Sequence, residues 1–225
     1  MSQDAGPDEG GVAPALRARL RPSFATLVKY GVPKSGRMKA KLDANESPYP
    51  LSPELREGLA RTLAALPLHR YPDAAATALR GRLAASVGAR EDELVLGTGS
   101  DEVIAMLINA FATPGASVLF PGPSFVMYGI TARSHGVRPV EVPLAPDFTL
   151  DEAALVAALE AEAPALAFYA SPNNPTGNVF SEAALDRLAA AFPGTLHVVD
   201  EAYGPFRRAT GDADPANHAA LLARH

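Results

Sequence analysis

Leucines at positions 55, 59, 63 and 66 recur at helical spacing behind Ser52, Pro53 and Glu54, which read as an N-cap, a proline at the first helical position and an acidic first turn. A short amphipathic helix is predicted there. HRYPD (69–73) breaks it, and Asp73 can cap a second helix that runs to Val87 and stops at Gly88. Beyond Gly88 the pattern changes to short apolar runs alternating with helical periodicity. ELVLG (93–97), SVLF (117–120), RPVEV (138–142), ALAFYA (165–170) and TLHVVD (195–200) read as strands. Between them, helices are predicted from Ser100 through Phe111, ended by the TPG at 113–115, and from Ser124 to His135, closed by Gly136. Another runs to about Glu162 behind a capping box of Thr149 and Glu152, and Ser181 caps the next. Short apolar strands joined by helices imply an α/β fold, with a mostly parallel sheet covered by helices on both faces.

The N-terminal stretch differs. MSQDAGPDEGGVAPA is polar and rich in Gly and Pro, lacks the features of a signal peptide, and reads as a disordered tail. Residues 16 to 50 are mixed and end in KLDANESPYPLSP, whose closely spaced prolines exclude a regular helix or central strand, so an ordered loop or arm is expected.

Composition narrows the function classes. With 225 residues, 48% hydrophobic and 20% charged, the chain can bury a sizeable core. A net charge of -5 offers no electrostatic footprint for a polyanion, so no nucleic-acid partner is expected. No apolar run approaches the ~18 residues that span a bilayer, so no membrane partner is expected either. The absence of cysteine excludes disulfides, thiolate metal sites and a cysteine nucleophile, and fits a cytoplasmic protein. His69, His135 and His197 lack metal-ligand spacing and read as structural or surface groups, so no metal site is expected. The basic residues are 16 Arg and four Lys (Lys29, Lys34, Lys39, Lys41), leaving no lysine from Leu42 to His225.

Candidate chemistry collects after the predicted strands, where open α/β sheets bind ligands. Gly97-Thr98-Gly99-Ser100-Asp101-Glu102 is a glycine-rich turn entering a helix N-terminus, suited to a phosphate or simply an ordinary capped turn. It matches neither a Walker A loop nor G-x-G-x-x-G. Pro121-Gly122-Pro123-Ser124-Phe125 offers a flat apolar ring. Ser171-Pro172-Asn173-Asn174-Pro175-Thr176-Gly177 either aims amides above the sheet or makes a tight connection. Asp200, in VVDEAY, ends a buried strand and needs a partner, an arginine ion pair being the structural alternative. A phosphate cradle, a flat ring, the Asn174 amide, the Asp200 carboxylate and the Tyr203 phenol form the set that a phosphorylated, protonated pyridine with a phenolic oxygen requires.

SPNNPTG followed by VVDEAY, and preceded by DANESPY and GTGSDE, resembles the fold-type I, class I/II aminotransferases that use pyridoxal 5'-phosphate, from about Lys41 to about Phe206. Within them the DANESPY and RYPD segments look most like the branch acting on histidinol phosphate. The resemblance implies that Gly99, Ser100 and Asp101 hold the cofactor phosphate and that Phe125 stacks on the ring, where many relatives carry Tyr. It implies that Asn174 and Tyr203 bond the phenolic oxygen, and that Asp200 pairs with the ring nitrogen. Tyr71 would reach the phosphate of a neighbouring subunit, making a homodimer with a shared active site; a core tyrosine is the alternative. Asn45, Glu46 and Tyr49 are substrate-side candidates. The implied organisation is a tail and arm (1–40), a substrate-mouth loop and helix belonging to an incomplete small domain or dimer contact (41–70), and a cofactor-binding large domain (71–225).

The implied reaction passes the amino group of a donor such as glutamate to imidazole acetol phosphate, giving histidinol phosphate and 2-oxoglutarate. It needs the family lysine that forms the Schiff base, which lies a few tens of residues beyond the DEAY tyrosine and matches no lysine here. The chain is therefore expected to be truncated before that lysine and inactive by itself. Alternatives are another aminotransferase or a threonine-phosphate decarboxylase of the same family, and a non-catalytic cofactor-binding or dimerisation module. A different phosphate-binding Rossmann-like domain would explain GTGSDE alone.

Overall fold

The computed structural model describes residues 14–26 and 47–206. The tail predicted over residues 1–15 falls almost wholly outside them, as does much of the predicted arm. The chain divides into two compact units, Val28–Leu83 and Met1–Leu27 with Ala84–His225.

In the described part of the smaller unit, Ser52 caps α2 (Pro53–Ala64) as its sequence predicts, its Oγ accepting the Leu55 amide hydrogen at 3.3 Å; α1 is the one-turn helix Pro14–Arg17 of the larger unit. No residue of α2 is buried, and the leucine face is exposed. Asp73 accepts from the amides of Thr77 (2.8 Å) and Ala75 (3.0 Å), so it closes a full turn before α3 (Thr77–Val87) begins. The Thr77 amide in particular holds the Asp73 carboxyl below its ordinary value. Gly88, at φ +72°, ends α3 in the left-handed conformation that glycine adopts freely.

The larger unit takes the end of α3 from Ala84 and continues with α4 (Ser100–Phe111), β1 (Ser117–Gly122), α5 (Met127–Ser134), β2 (Arg138–Pro143), α6 (Glu152–Glu162), β3 (Leu166–Ala170), α7 (Glu182–Ala191) and β4 (Leu196–Asp200). The four strands are parallel in the order β2-β1-β3-β4. Period-two alternation divides β1 and β3 between two cores. Val118, Phe120, Leu166, Phe168 and Ala170 face α4 and α5, where Ile104, Ile108, Tyr128 and Ala132 cover them. Leu119, Ala167 and Tyr169 face α6 and α7, against Leu155, Leu159, Leu185 and Leu188. Because both faces are covered, these strands are apolar throughout, which is why sequence periodicity shows runs and not alternation.

Three sequence expectations are corrected. The helix expected from Ser124 begins only at Met127, since Ser124 Oγ donates instead to Asn173 Oδ1 at 2.8 Å. ELVLG (93–97) is not a strand: Glu91–Glu93 forms a 3-10 turn closed by Arg90, which bridges Glu93 (2.9 Å) and Asp92 (3.0 Å). Leu94 beyond it is extended, but this stretch joins no ladder among the described residues, and Val95 is exposed. Extended backbone becomes a strand only when a neighbour takes its N–H and C=O groups. The Thr149–Glu152 capping box is also absent. Thr149 turns back to Asp147, its Oγ1 donating at 2.7 Å, while Asp151 caps α6 by accepting the Ala154 amide hydrogen at 3.0 Å. Glu152 bridges Arg187 at 2.8 Å across to α7. Among the described residues no helix is long and apolar enough to cross a membrane.

The cap assignment is testable by urea unfolding. Asp151→Ala should lower stability by about 1 kcal/mol, the usual value of an N-cap, with an unchanged m value. Thr149→Ala should cost clearly less; a larger loss at Thr149 would restore the capping box.

Candidate functional site

After β1 the chain moves to one side to form β2, then crosses back to place β3 on the other side of β1. The reversal leaves a crevice above the carboxyl ends of β1 and β3, the topological switch point at which such sheets bind ligands. A cavity of about 290 Å³ opens there. It is lined by the GTGSDE turn, the start of α5, the end of β3 with its SPNNPTG loop, and the residues following β4.

Asp200 ends β4 at the cavity floor. Its Oδ2 accepts the Tyr128 hydroxyl hydrogen at 2.8 Å, and its Oδ1 accepts the Ala202 amide hydrogen at 3.0 Å. The carboxylate expected to need a partner thus meets a phenol and a backbone N–H, and among the described residues no arginine pairs with it. Tyr128 projects from the first turn of α5 and is wholly buried. Its ring stacks on Phe168 of β3 (centroids 4.9 Å apart, 9° between planes) and meets Phe125 edge-on (5.6 Å, 86°). Burial, then the Asp200 charge, pushes the Tyr128 phenol far above its ordinary value, so it stays a neutral donor.

The two asparagines of SPNNPTG have opposite tasks. Asn173 is buried: its Nδ2 donates to the Pro123 carbonyl (3.0 Å) and Thr176 Oγ1 (2.7 Å), and its Oδ1 accepts from Ser124 Oγ (2.8 Å). Its backbone closes the loop, N–H to the Asn178 carbonyl and C=O from the Gly177 amide, both 2.8 Å. Asn173 therefore ties the loop after β3 to the loop after β1. Asn174 lines the cavity, and its Nδ2 donates to the Tyr203 hydroxyl at 3.3 Å.

The GTG turn enters α4 through Gly99, at φ +86°, where a side chain would strain the backbone although space is open. Gly97 answers a different need, since a Cβ there would sit 2.8 Å from Val103 Cγ2. The Glu102 carboxylate accepts the Thr98 amide hydrogen, which closes the turn and holds that carboxyl below its ordinary value. The first amides of α4 have no partner within the helix, and Gly99, Ser100 and Asp101 at that positive end of the helix dipole line the cavity.

Gly99, Ser100, Asp101, Phe125, Asn174, Asp200 and Tyr203 are thus brought around one cavity. Tyr49 and Tyr71 lie in the other unit, both highly exposed, and Asn45 and Glu46 lie outside the described residues. His135 bonds the Thr131 carbonyl through Nδ1 (2.9 Å), and His197 bridges Tyr169 and the Phe192 carbonyl, so both serve local structure. Sequence reasoning missed Tyr128 and Asn173. Tyr128 carried one signal, a helical spacing of three from Phe125 on the sheet-facing side, but nothing local named its partner.

Fold and site together define a parallel α/β domain whose switch-point cavity pairs a helix N-terminus with a fixed carboxylate across an aromatic wall. A family model described as aminotransferase class I and II matches residues 37–225, and the chain belongs to that family. It is 44% identical to the histidinol-phosphate aminotransferase of Paracidovorax citrulli over 92% of this chain and 59% of the relative. It is 45% identical to histidinol-phosphate aminotransferase 2 of Cupriavidus pinatubonensis over 87% and 55%. Among solved structures, histidinol-phosphate aminotransferase from Sinorhizobium meliloti in complex with pyridoxal-5'-phosphate aligns with a TM-score of 0.70 at 26% identity, over 83% of this chain and 51% of that one. The chain therefore spans a little over half the length of the curated relatives it matches.

Two outcomes test the site's construction. Asn173→Ala should cost about 2 kcal/mol in urea unfolding because it leaves buried partners unsatisfied, whereas Asn174→Ala should stay within about 0.5 kcal/mol. The Glu102 carboxyl, depressed in the folded state, adds stability above its unfolded pKa of about 4.3 and loses it as pH falls through the lower folded value. The stability gap between the native chain and Glu102→Gln should accordingly close as pH falls below the unfolded value and through the lower folded one; a gap independent of pH would contradict the carboxylate's role.

Proposed function

We propose that the whole protein carrying this chain is a pyridoxal-phosphate-dependent aminotransferase that exchanges the amino group between glutamate and imidazole acetol phosphate, giving 2-oxoglutarate and histidinol phosphate. The observation that carries the cofactor reading is the placement of a fixed carboxylate, Asp200, and a glycine-opened helix start, Gly99–Asp101, around one cavity. The donor set fits a phosphorylated, protonated pyridine. Backbone N–H groups at Ser100 and Asp101 would hold the phosphate, Phe125 would cover the ring, and Asp200 would receive the ring N–H. Asn174 and Tyr203 would hydrogen-bond the phenolic oxygen. Bound there, pyridoxal phosphate supplies an electron sink for negative charge developing at the substrate α-carbon. Curated relatives named histidinol-phosphate aminotransferase support the substrate assignment.

In this reading residues 71–225 carry the cofactor-binding domain, 41–70 contribute the substrate mouth, and a homodimer completes each site through Tyr71. Asn45, Glu46 and Tyr49 meet the substrate. A second reading applies to the 225 residues by themselves. Because no lysine occurs from Leu42 to His225, the chain alone should bind the cofactor without turning it over.

Titrating the purified chain with pyridoxal phosphate and with unphosphorylated pyridoxal, by equilibrium dialysis, tests the cofactor reading. Saturable binding that prefers the phosphorylated form is expected, weakened about tenfold or more by Asp200→Ala. Equal affinity for the two forms, or indifference to Asp200, would contradict it. Incubation with glutamate and imidazole acetol phosphate should yield no histidinol phosphate from the chain alone, and turnover would overturn the second reading.

A further inference from the structure

Tyr128 belongs to none of the motifs that define the site, yet it is the residue on which the geometry of Asp200 turns. Its ring has no freedom: it is wholly buried, stacked on Phe168, and flanked by Phe125 and by Phe120 at 5.8 Å. Its hydroxyl reaches Asp200 Oδ2 at 2.8 Å, while the Ala202 amide takes Oδ1 from the opposite side of the chain turn. Two donors from separate elements, α5 and the turn after β4, therefore fix the plane of one carboxylate. The chemistry of the first donor matters as much as its place. An arginine there would cancel the charge of Asp200 and compete with a cationic ligand, whereas a neutral phenol orients the carboxylate and leaves its charge for the cavity.

Resting on the cofactor reading above, we propose that Tyr128 is a positioning residue for ring-nitrogen recognition, acting through Asp200 to select a protonated nitrogen heterocycle over an isosteric carbocycle. Tyr128 lines the cavity, but the proposed role assigns it no contact with phosphate or substrate. Its contribution should be confined to the ring nitrogen, which separates it from a purely structural tyrosine whose loss would weaken every ligand alike.

The test compares binding of pyridoxal phosphate with that of its 1-deaza analogue, in which a C–H replaces the ring nitrogen, to the 225-residue chain. Native chain is expected to prefer pyridoxal phosphate. Tyr128→Phe should reduce that preference by about three- to tenfold, the range of one hydrogen bond, while leaving analogue affinity within about twofold. In an Asp200→Ala background the same change should do nothing further, as a double-mutant cycle requires when one residue acts through the other. Thermal melts establish that each variant is folded. Should Tyr128→Phe not fold, para-methylphenylalanine at position 128 fills the same volume without a donor and takes its place. Equal loss for both ligands, or an undiminished effect in the Asp200→Ala background, would overturn the role of Tyr128 while leaving the cofactor reading intact. Failure of the native chain to bind pyridoxal phosphate would overturn both.

Discussion

A carboxylate that ends a half-buried parallel strand at a cavity needs donors to fix it, and most of this site is organised by how Asp200 is held. Only half-buried, it borders the cavity, where solvent alone would leave its plane unfixed. Pairing it with arginine would neutralise it. The chain instead sends a tyrosine from α5 through the aromatic layer, where Phe168, Phe125 and Phe120 hold the ring and burial keeps its hydroxyl protonated. The aromatic cluster is therefore both the core under the cavity and the scaffold that aims its one fixed carboxylate.

The remaining parts follow from topology. With β1 in the middle of the sheet and its successors diverging to either side, the loops after β1 and β3 must part at the crevice. Asn173 spans that parting, joined to Pro123 and Ser124 on one side and Thr176 on the other, so the loops that spread to admit a ligand are still held in register. Asn174 is then free to face the cavity. Opposite, Glu102 closes the GTG turn at the start of α4. Rigid support sits behind each group that would meet a ligand.

Much of this was legible in the sequence, for identifiable reasons. The apolar runs of β1 and β3 declare themselves because both of their faces are buried, and Ser52 and Ser181 announce helix starts because a hydroxyl before an acidic turn has few other uses. What failed was decided by partners at a distance. ELVLG has the composition of a strand, but only a neighbouring ladder would make it one. Thr149 and Asp151 are equally good caps until Asp147 captures the threonine. Asn173 and Asn174 are the same residue in the same motif, and only the fold distinguishes the latch from the ligand-facing amide. Tyr128 lies 72 residues from Asp200, so no local pattern could have joined them.

In the proposed function one cavity holds a phosphorylated pyridine, with its phosphate at the start of α4 and its ring nitrogen on Asp200. A crystal structure of the chain grown with pyridoxal phosphate tests this most directly. The ring is expected over Phe125, the phosphate on the amides of Ser100 and Asp101, and the ring nitrogen within hydrogen-bonding distance of an Asp200 that still receives the Tyr128 hydroxyl. Phosphate density elsewhere, or a ring turned so that Asp200 faces carbon, would contradict it.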